Sequence, residues 1–238
     1  MQEPRKKLII AIDGPAGAGK STIAARLARK LGYVNLESGA MYRALALKAI
    51  ENDISFDDEA ALVELARNSR LRLEPQLTDN RVLLDGRDVS ARIRERDVTE
   101  GASRASVHPR VREWMVARQQ EMGRGGGIIM EGRDIGTKVF PEAEVKIFLE
   151  AAPEVRVERR LKQREGTPDM APAVAQELRR RDQRDRTRTA SPLEPAPDAV
   201  VLDSTHLSID EVVAKAEELV QRKLAQAERK ISDVRFQI

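Results

Sequence analysis

Residues 14–22 read GPAGAGKST, and this run restricts the fold more than any other feature of the chain. It fits G-x-x-x-x-G-K-[ST] at Gly14, Gly19, Lys20 and Ser21. Glycines let backbone N–H groups converge on phosphates without Cβ clashes. Lys20 sets a point charge beside β- and γ-phosphates, and the Ser21 hydroxyl can ligate Mg²⁺. The expected phosphate cradle is the whole run: Gly14, Pro15, Ala16, Gly17, Ala18, Gly19, Lys20, Ser21 and Thr22. Its flanks agree. KLIIAID (7–13) reads as a buried parallel strand. Ile23, Leu27 and Leu31 recur at i, i+4 and i+8, so STIAARLARKLG reads as a helix with Gly32 as its stop. A loop between strand and helix offers a helix N-terminus to anions, which commits the chain to an α/β architecture.

Four more apolar runs look like strands of the same parallel sheet: YVNL (33–36), GIIME (127–131), EVKIFLE (144–150) and AVVLD (199–203). Helical patterns separate most of them, as βαβ crossovers require. About ninety residues part the second strand from the third, far more than one crossover needs. An insert is expected there. LRLEP (71–75), RVLLDG (81–86) and RDVS (87–90) read as short antiparallel strands turning at Thr78-Asp79-Asn80 and Asp85-Gly86. VHPRVREWMVARQQEM (107–122) follows as a helix, with Val111, Trp114 or Met115, and Arg118 at helical spacing and Trp114 assigned to the insert's core.

Residues 156–190 are the second irregular stretch. VRVERRLKQRE and AVAQELRRRDQRDRTRT read as helices broken by GTPDMAP. The second carries few large apolar residues on any face; such a helix is either solvated or folds over a ligand, so the stretch is a plain surface pair or, the reading preferred, a mobile lid. SPLEPAP (191–197) is a connector, and an amphipathic helix is expected from Asp210 to about Arg229, its end frayed. The expected plan is one domain over 1–238. Its core covers about 5–36, 105–155 and 191–225, the insert about 37–104 and the lid about 156–190. A tail at 226–238 has an order the pattern leaves open.

Composition narrows the function classes. There is no cysteine, hence no disulfide frame and no thiolate metal site. No stretch approaches the apolar length of a membrane span, and MQEPRKK lacks an apolar signal core, so a cytoplasmic protein without membrane partners is expected. A net charge of +3 is too mild to argue for a nucleic-acid partner. Arginine nevertheless supplies 31 of the 42 basic residues, and ten lie between Arg156 and Arg188. Its planar fork suits bidentate phosphate contacts.

A phosphate loop can lose the terminal phosphate to water or pass it to a second substrate. Transfer needs a second anion pocket, rich in arginine and shielded from water. Three stretches are candidates. In LESGAMYR (36–43), Ser38 and Gly39 open a helix and Arg43 follows, so the turn can hold an anion or simply cap a helix with Ser38. In EGRDIGT (131–137), Arg133 and Asp134 sit at a strand's carboxyl end, where open α/β sheets bind ligands. In RRDQRDRTR (180–188), Arg181, Asp185 and Arg188 share a helical face at i, i+4 and i+7.

GPAGAGKST, LESGAMYR, HPRVRE, EGRDIGT-VFP-A-VKIFL, RRDQRDRTR and VLDST-LSI occur in this order in bacterial cytidylate kinases, and from about residue 7 to residue 220 the chain resembles that family. The resemblance implies a nucleoside monophosphate kinase fold. Its parts are a five-stranded parallel sheet flanked by helices, an enlarged monophosphate-binding insert and a short lid. It implies ATP-dependent phosphorylation of CMP and dCMP with Mg²⁺ at Ser21, and a monomer acting on small molecules. Carried over by position, Lys20 and the loop hold ATP, while Ser38, Arg43 and Arg133 contact the acceptor phosphate. Ser103, Arg112 and Asp134 read the cytosine edge. Arg181 and Asp185 contact sugar and phosphate, and Lys20, Arg133, Arg181 and Arg188 carry the transferring charge. A carboxylate suits cytosine's 4-amino group and would face an acceptor in uracil. Kinases of UMP or AMP, a P-loop ATPase or switch, and a nucleic-acid binder are the rival readings.

Glu37 and Glu131 stand where the family often has Asp, which keeps the charge. Lys138 adds a charge within GTKVFP. His108 precedes Pro109 and suits a helix start, and neither it nor His206 has a partner at metal-ligand spacing. Asp13 is expected either to cap or to contact the Lys20 region, and Asp203, Ser204 and Thr205 to border the adenine.

Overall fold

The computed structural model describes residues 7–76 and 80–235, those from 227 onward as backbone only. Five strands build the main sheet: β1 (Ile9–Asp13), β2 (Val34–Glu37), β6 (Ile128–Glu131), β7 (Val145–Glu150) and β8 (Val200–Asp203). All pair in parallel, in the order β2-β6-β1-β7-β8. These are the five apolar runs expected from sequence. β1, β6 and β7 are buried almost throughout, as an aliphatic run covered on both faces must be. Each strand ends on a carboxylate, Asp13, Glu37, Glu131, Glu150 or Asp203, so one rim of the sheet carries five acids.

Helices α1 (Lys20–Leu31) and α8 (Ile209–Arg235) cover one face. Leu27 and Val220 meet β1 and β7 in a core with Ile10, Ile12 and Ile147. α1 stops where Gly32 turns left-handed at φ 66° and its N–H donates to the Ala28 carbonyl. α8 continues past the expected Arg229 to Arg235, and residues 236–238 lie outside the described residues. The opposite face is closed by α5 (Pro109–Gly123) and by a wide helical turn at Ile135–Val139, through Ile135, Val139 and Phe140.

Between β2 and β6 stand α2 (Ser38–Glu51), α3 (Glu59–Arg67), the antiparallel β3 (Leu71–Pro75), β4 (Asn80–Leu84) and β5 (Arg87–Asp88), and α4 (Arg96–Ala105). They share a core of their own with α5, reaching from Ala40 through Leu62, Leu84 and Val98 to Val111 and Met115. The front half of α5 therefore packs with the insert, beyond the expected boundary at 104. β4 turns into β5 at Asp85 and Gly86, both at positive φ, as expected. Of the other expected turn, Thr78 and Asp79 lie outside the described residues. Trp114 packs against the insert core half-buried, beneath Arg118 at 5.5 Å. The sequence reading places no helix at α3 or α4, although Leu62 and Ala66, and Val98, Ala102 and Ala105, bury one face of each at helical spacing. α4 also places Gly101 against the Phe56 ring, a contact a Cβ would bring to 2.3 Å, so this face packs through small residues.

α6 (Pro153–Gln163) and α7 (Ala171–Thr187) form a hairpin over the phosphate loop. Its apolar content is the small cluster Val174, Leu178, Val157 and Leu161, packed on Ala16 of the loop. α7 ends at Thr187, and Arg188 follows as an extended cap. The expected helical face therefore stops at Asp185.

Candidate active site

The loop GPAGAGKST lies between β1 and α1 with Gly14, Gly17 and Gly19 at φ 143°, 78° and 99°. Gly14 is obligatory, because a Cβ there would stand 2.1 Å from the Leu149 carbonyl oxygen. Lys20 is buried and donates to the Pro15 carbonyl at 2.7 Å. Burial, with Arg133 nearby, brings its ammonium down to about 7, and Glu131 works the other way. Lys20 makes no ion pair among the described residues, and a nucleotide's phosphates would supply an anion to it.

A cleft of about 560 Å³ opens in front of the loop, at the carboxyl ends of the strands. All candidate residues from Ser38 to Arg188 line it: Ser38, Arg43, Ser103, Arg112, Arg133, Asp134, Arg181, Asp185 and Arg188. So do Ala16 to Thr22 of the loop, whereas Gly14 and Pro15 do not. Lys138 and His206 are exposed away from it, and His108 donates from Nε2 to the Phe56 carbonyl at 2.7 Å.

The cleft has three walls. Beside the loop, Glu131 is buried with Oε1 unpartnered, next to the Ser21 hydroxyl. Burial pushes its carboxyl up to about 7, and Glu37 adds to this. A carboxylate and a hydroxyl are hard oxygen donors and suit Mg²⁺, which keeps waters and takes phosphate oxygens for its remaining positions. Sequence reading left Glu131 out of the metal set; its place beside Ser21 follows only from β6 lying next to β1.

On the insert side, Arg112 donates to the Asp134 carboxylate at 2.5 Å and to the Ser106 carbonyl at 3.1 Å, both side chains buried. Tyr42 lies under the Arg112 guanidinium at 5.4 Å, and its hydroxyl is pushed by burial up to about 12. The hydroxyls of Ser103 and Tyr42 are buried without partners among the described residues. Tyr42 was missed because its aromatic ring reads as core. Arg43 pairs with Glu37 at 2.7 Å, leaving its Nε unpartnered. The Ser38 hydroxyl donates to the Glu131 carbonyl at 2.7 Å, tying the start of α2 to β6.

From the hairpin, Asp185 accepts from Arg133 Nε at 2.9 Å and stands 3.5 Å from Arg188. Burial raises its carboxyl, but Arg133, Arg181 and Arg188 overcome this and hold it below its ordinary value. The Arg181 side chain makes no hydrogen bond among the described residues, and burial beside Arg133 pushes it down to about 10. Ser204, behind the loop, accepts from Arg159, which also donates to the Ala18 carbonyl.

A phosphate loop facing a second, arginine-walled anion pocket across one cleft defines the class of P-loop kinases that act on small acceptors. A gluconokinase structure from Sinorhizobium meliloti shares this fold, with a TM-score of 0.50 at 13% identity over 96% of this chain and 99% of its own. The chain belongs to the cytidylate kinase family, whose model matches residues 10–222. It is 46% identical to a cytidylate kinase of Geobacillus kaustophilus over 92% of this chain and 99% of the relative. It is 48% identical to a cytidylate kinase of Enterococcus faecalis over 91% and 97%.

Proposed function

We infer that the protein transfers the γ-phosphoryl group of ATP to CMP, giving ADP and CDP, and that dCMP is also an acceptor. Family membership supports the reaction, and one observation supports this cleft as its site. The buried Arg112–Asp134 pair, with the unpartnered Ser103 hydroxyl beside it, offers a carboxylate, a guanidinium and a hydroxyl on one wall. Cytosine presents one amino donor beside ring acceptors and matches that set.

In this reading the loop amides and Lys20 hold the ATP phosphates. Ser21 and Glu131 would hold Mg²⁺, which neutralises phosphate charge when bound. Ser38, Arg43 and Arg133 grip the acceptor phosphate. Asp185 orients Arg133 and Arg188 and is free to accept from a sugar hydroxyl. Lys20, Arg133, Arg181 and Arg188 spread the charge of the transferring phosphoryl. Positioning and charge carry such a transfer, so a strong general base is not required. Residues 37–104 then act as the acceptor-binding insert and 156–190 as the lid that excludes water. The protein works as a cytoplasmic monomer on small molecules. Among the described residues no helix is long and apolar enough to cross a membrane.

ADP formation from ATP and Mg²⁺ is the direct test, with CMP, dCMP, UMP, AMP and GMP run in parallel and a control lacking acceptor. Turnover led by CMP and dCMP is expected. A lead by UMP or AMP would keep the kinase and reassign Ser103, Arg112 and Asp134. Equal ADP release without acceptor would overturn the transfer itself.

A further inference from the structure

Asp13 ends the central strand β1, one residue before the phosphate loop. It is buried and does not line the cleft. Its Oδ1 accepts from the Ile135 N–H at 2.9 Å and its Oδ2 from the Gly136 N–H at 2.7 Å. On the near side of the same segment, the Gly132 N–H donates to the Ile12 carbonyl at 3.0 Å. Between these two anchors stand only Arg133 and Asp134. Consecutive residues of β1 thus pin both ends of the dipeptide that faces the acceptor.

The chemistry explains the residue type. Two N–H donors converge here, and only a carboxylate accepts both. Asparagine would accept one and set its own NH₂ against the other. Burial pushes the carboxyl up to about 6 while the two amides pull it back, and Asp134 and Lys20 are the charged groups nearby. An acid kept in such a place does more than fill space, because an apolar residue would leave two buried amides unpaired.

We propose that Asp13 is a positioning residue for the acceptor, holding Arg133 and Asp134 in fixed register with the phosphate loop. The proposal rests on the reading of those two residues as acceptor contacts. It acts through them, touching no substrate itself. Asp13→Asn keeps the shape and disturbs one bond. Gly136→Val reaches the same bond from the other side: a Cβ there already stands 3.2 Å from Lys146 Cδ and 3.4 Å from Asp13 Oδ2, so the two further methyl groups have to displace the carboxylate or the segment.

Steady-state kinetics of both variants would be run beside wild type and beside Leu27→Ala, a core variant remote from this segment that lowers the melting temperature. Asp13→Asn and Gly136→Val are expected to raise the KM for CMP about tenfold or more, with the KM for ATP within about twofold of wild type. The preference for CMP over UMP falls, and the double variant is less than the sum of the two. Should Asp13→Asn fail to fold, Gly136→Val carries the test alone. An unchanged KM for CMP, or CMP and ATP values rising together as in Leu27→Ala, overturns the positioning role. Absence of CMP turnover in wild type overturns instead the acceptor reading beneath it.

Discussion

Lys20 and Glu131 sit in one small buried volume with opposite perturbations, the ammonium lowered and the carboxyl raised, each to about 7. Both shifts come first from burial, so a ligand of the right charge should reverse them. A polyphosphate beside Lys20 raises its pKa, so metal-free ADP takes up protons at pH 7–8 and almost none below pH 6. Mg²⁺ held by Ser21 and Glu131 as proposed would act in the other direction, because it takes Glu131 as a carboxylate, so adding it to that complex at or below pH 7 should release protons. Calorimetry in buffers of different ionisation enthalpy reads both signs. Asp134 gives a second test at this scale. If Asp134 reads cytosine as proposed, Asp134→Asn should lower kcat/KM for CMP about a hundredfold or more and leave the KM for ATP unchanged, since it removes the carboxylate that accepts from the amino group. Arg133 and Asp134 stood out in the sequence between two glycines after an apolar strand. Tyr42 and Glu131 did not, because an aromatic on a helix and an acid ending a strand have ordinary structural explanations.

Among the elements, the α6–α7 hairpin, expected from sequence as a lid with little to bury, holds the phosphate loop more firmly than its few apolar residues announce. It grips one residue of the phosphate loop by three means. Val174 and Leu178 pack on the Ala16 side chain, the Ala16 N–H donates to Asp182 at 3.3 Å, and Arg156 donates to the Ala16 carbonyl at 3.0 Å. Arg156 and Asp182 also pair with each other at 2.5 Å, mostly buried. Removing one partner of such a pair strands the other's charge, at a cost of about 3 kcal/mol. Asp182→Ala should therefore lower stability by about that amount in urea unfolding and weaken ATP binding, because the grip and the cradle share Ala16. The outer link, Arg184 to Glu100 at 2.8 Å between α7 and α4, is half-exposed and is worth little, under about 1 kcal/mol.

Over the whole molecule, the cleft joins three units: the sheet rim with its loop, the insert with its own core, and the hairpin. Arg133 from the rim meets Asp185 from the hairpin, and Arg112 from the insert meets Asp134 from the rim. A ligand on any one wall orders groups that serve the others. CMP and ADP should each raise the melting temperature, and together by more than the sum of the separate shifts, as scanning calorimetry would show.

By itself the sequence determined the five sheet strands, the loop and the helix after it, and the three arginine-bearing segments. Each is written in residues close together in the chain, as an apolar run, a glycine pattern or a charge cluster, and local physics acts on such patterns directly. Only the tertiary structure decided what those segments meet. The strand order sets Glu131 beside Ser21 and Asp13 under the Arg133–Asp134 segment, residues more than a hundred apart in the chain. It also turned a weakly apolar hairpin into a clasp, and seated Gly101 of an insert helix against the Phe56 ring, forty-five residues away in the chain. Such pairings depend on side chains converging across elements, and the geometry that brings them together exists only once the sheet has assembled.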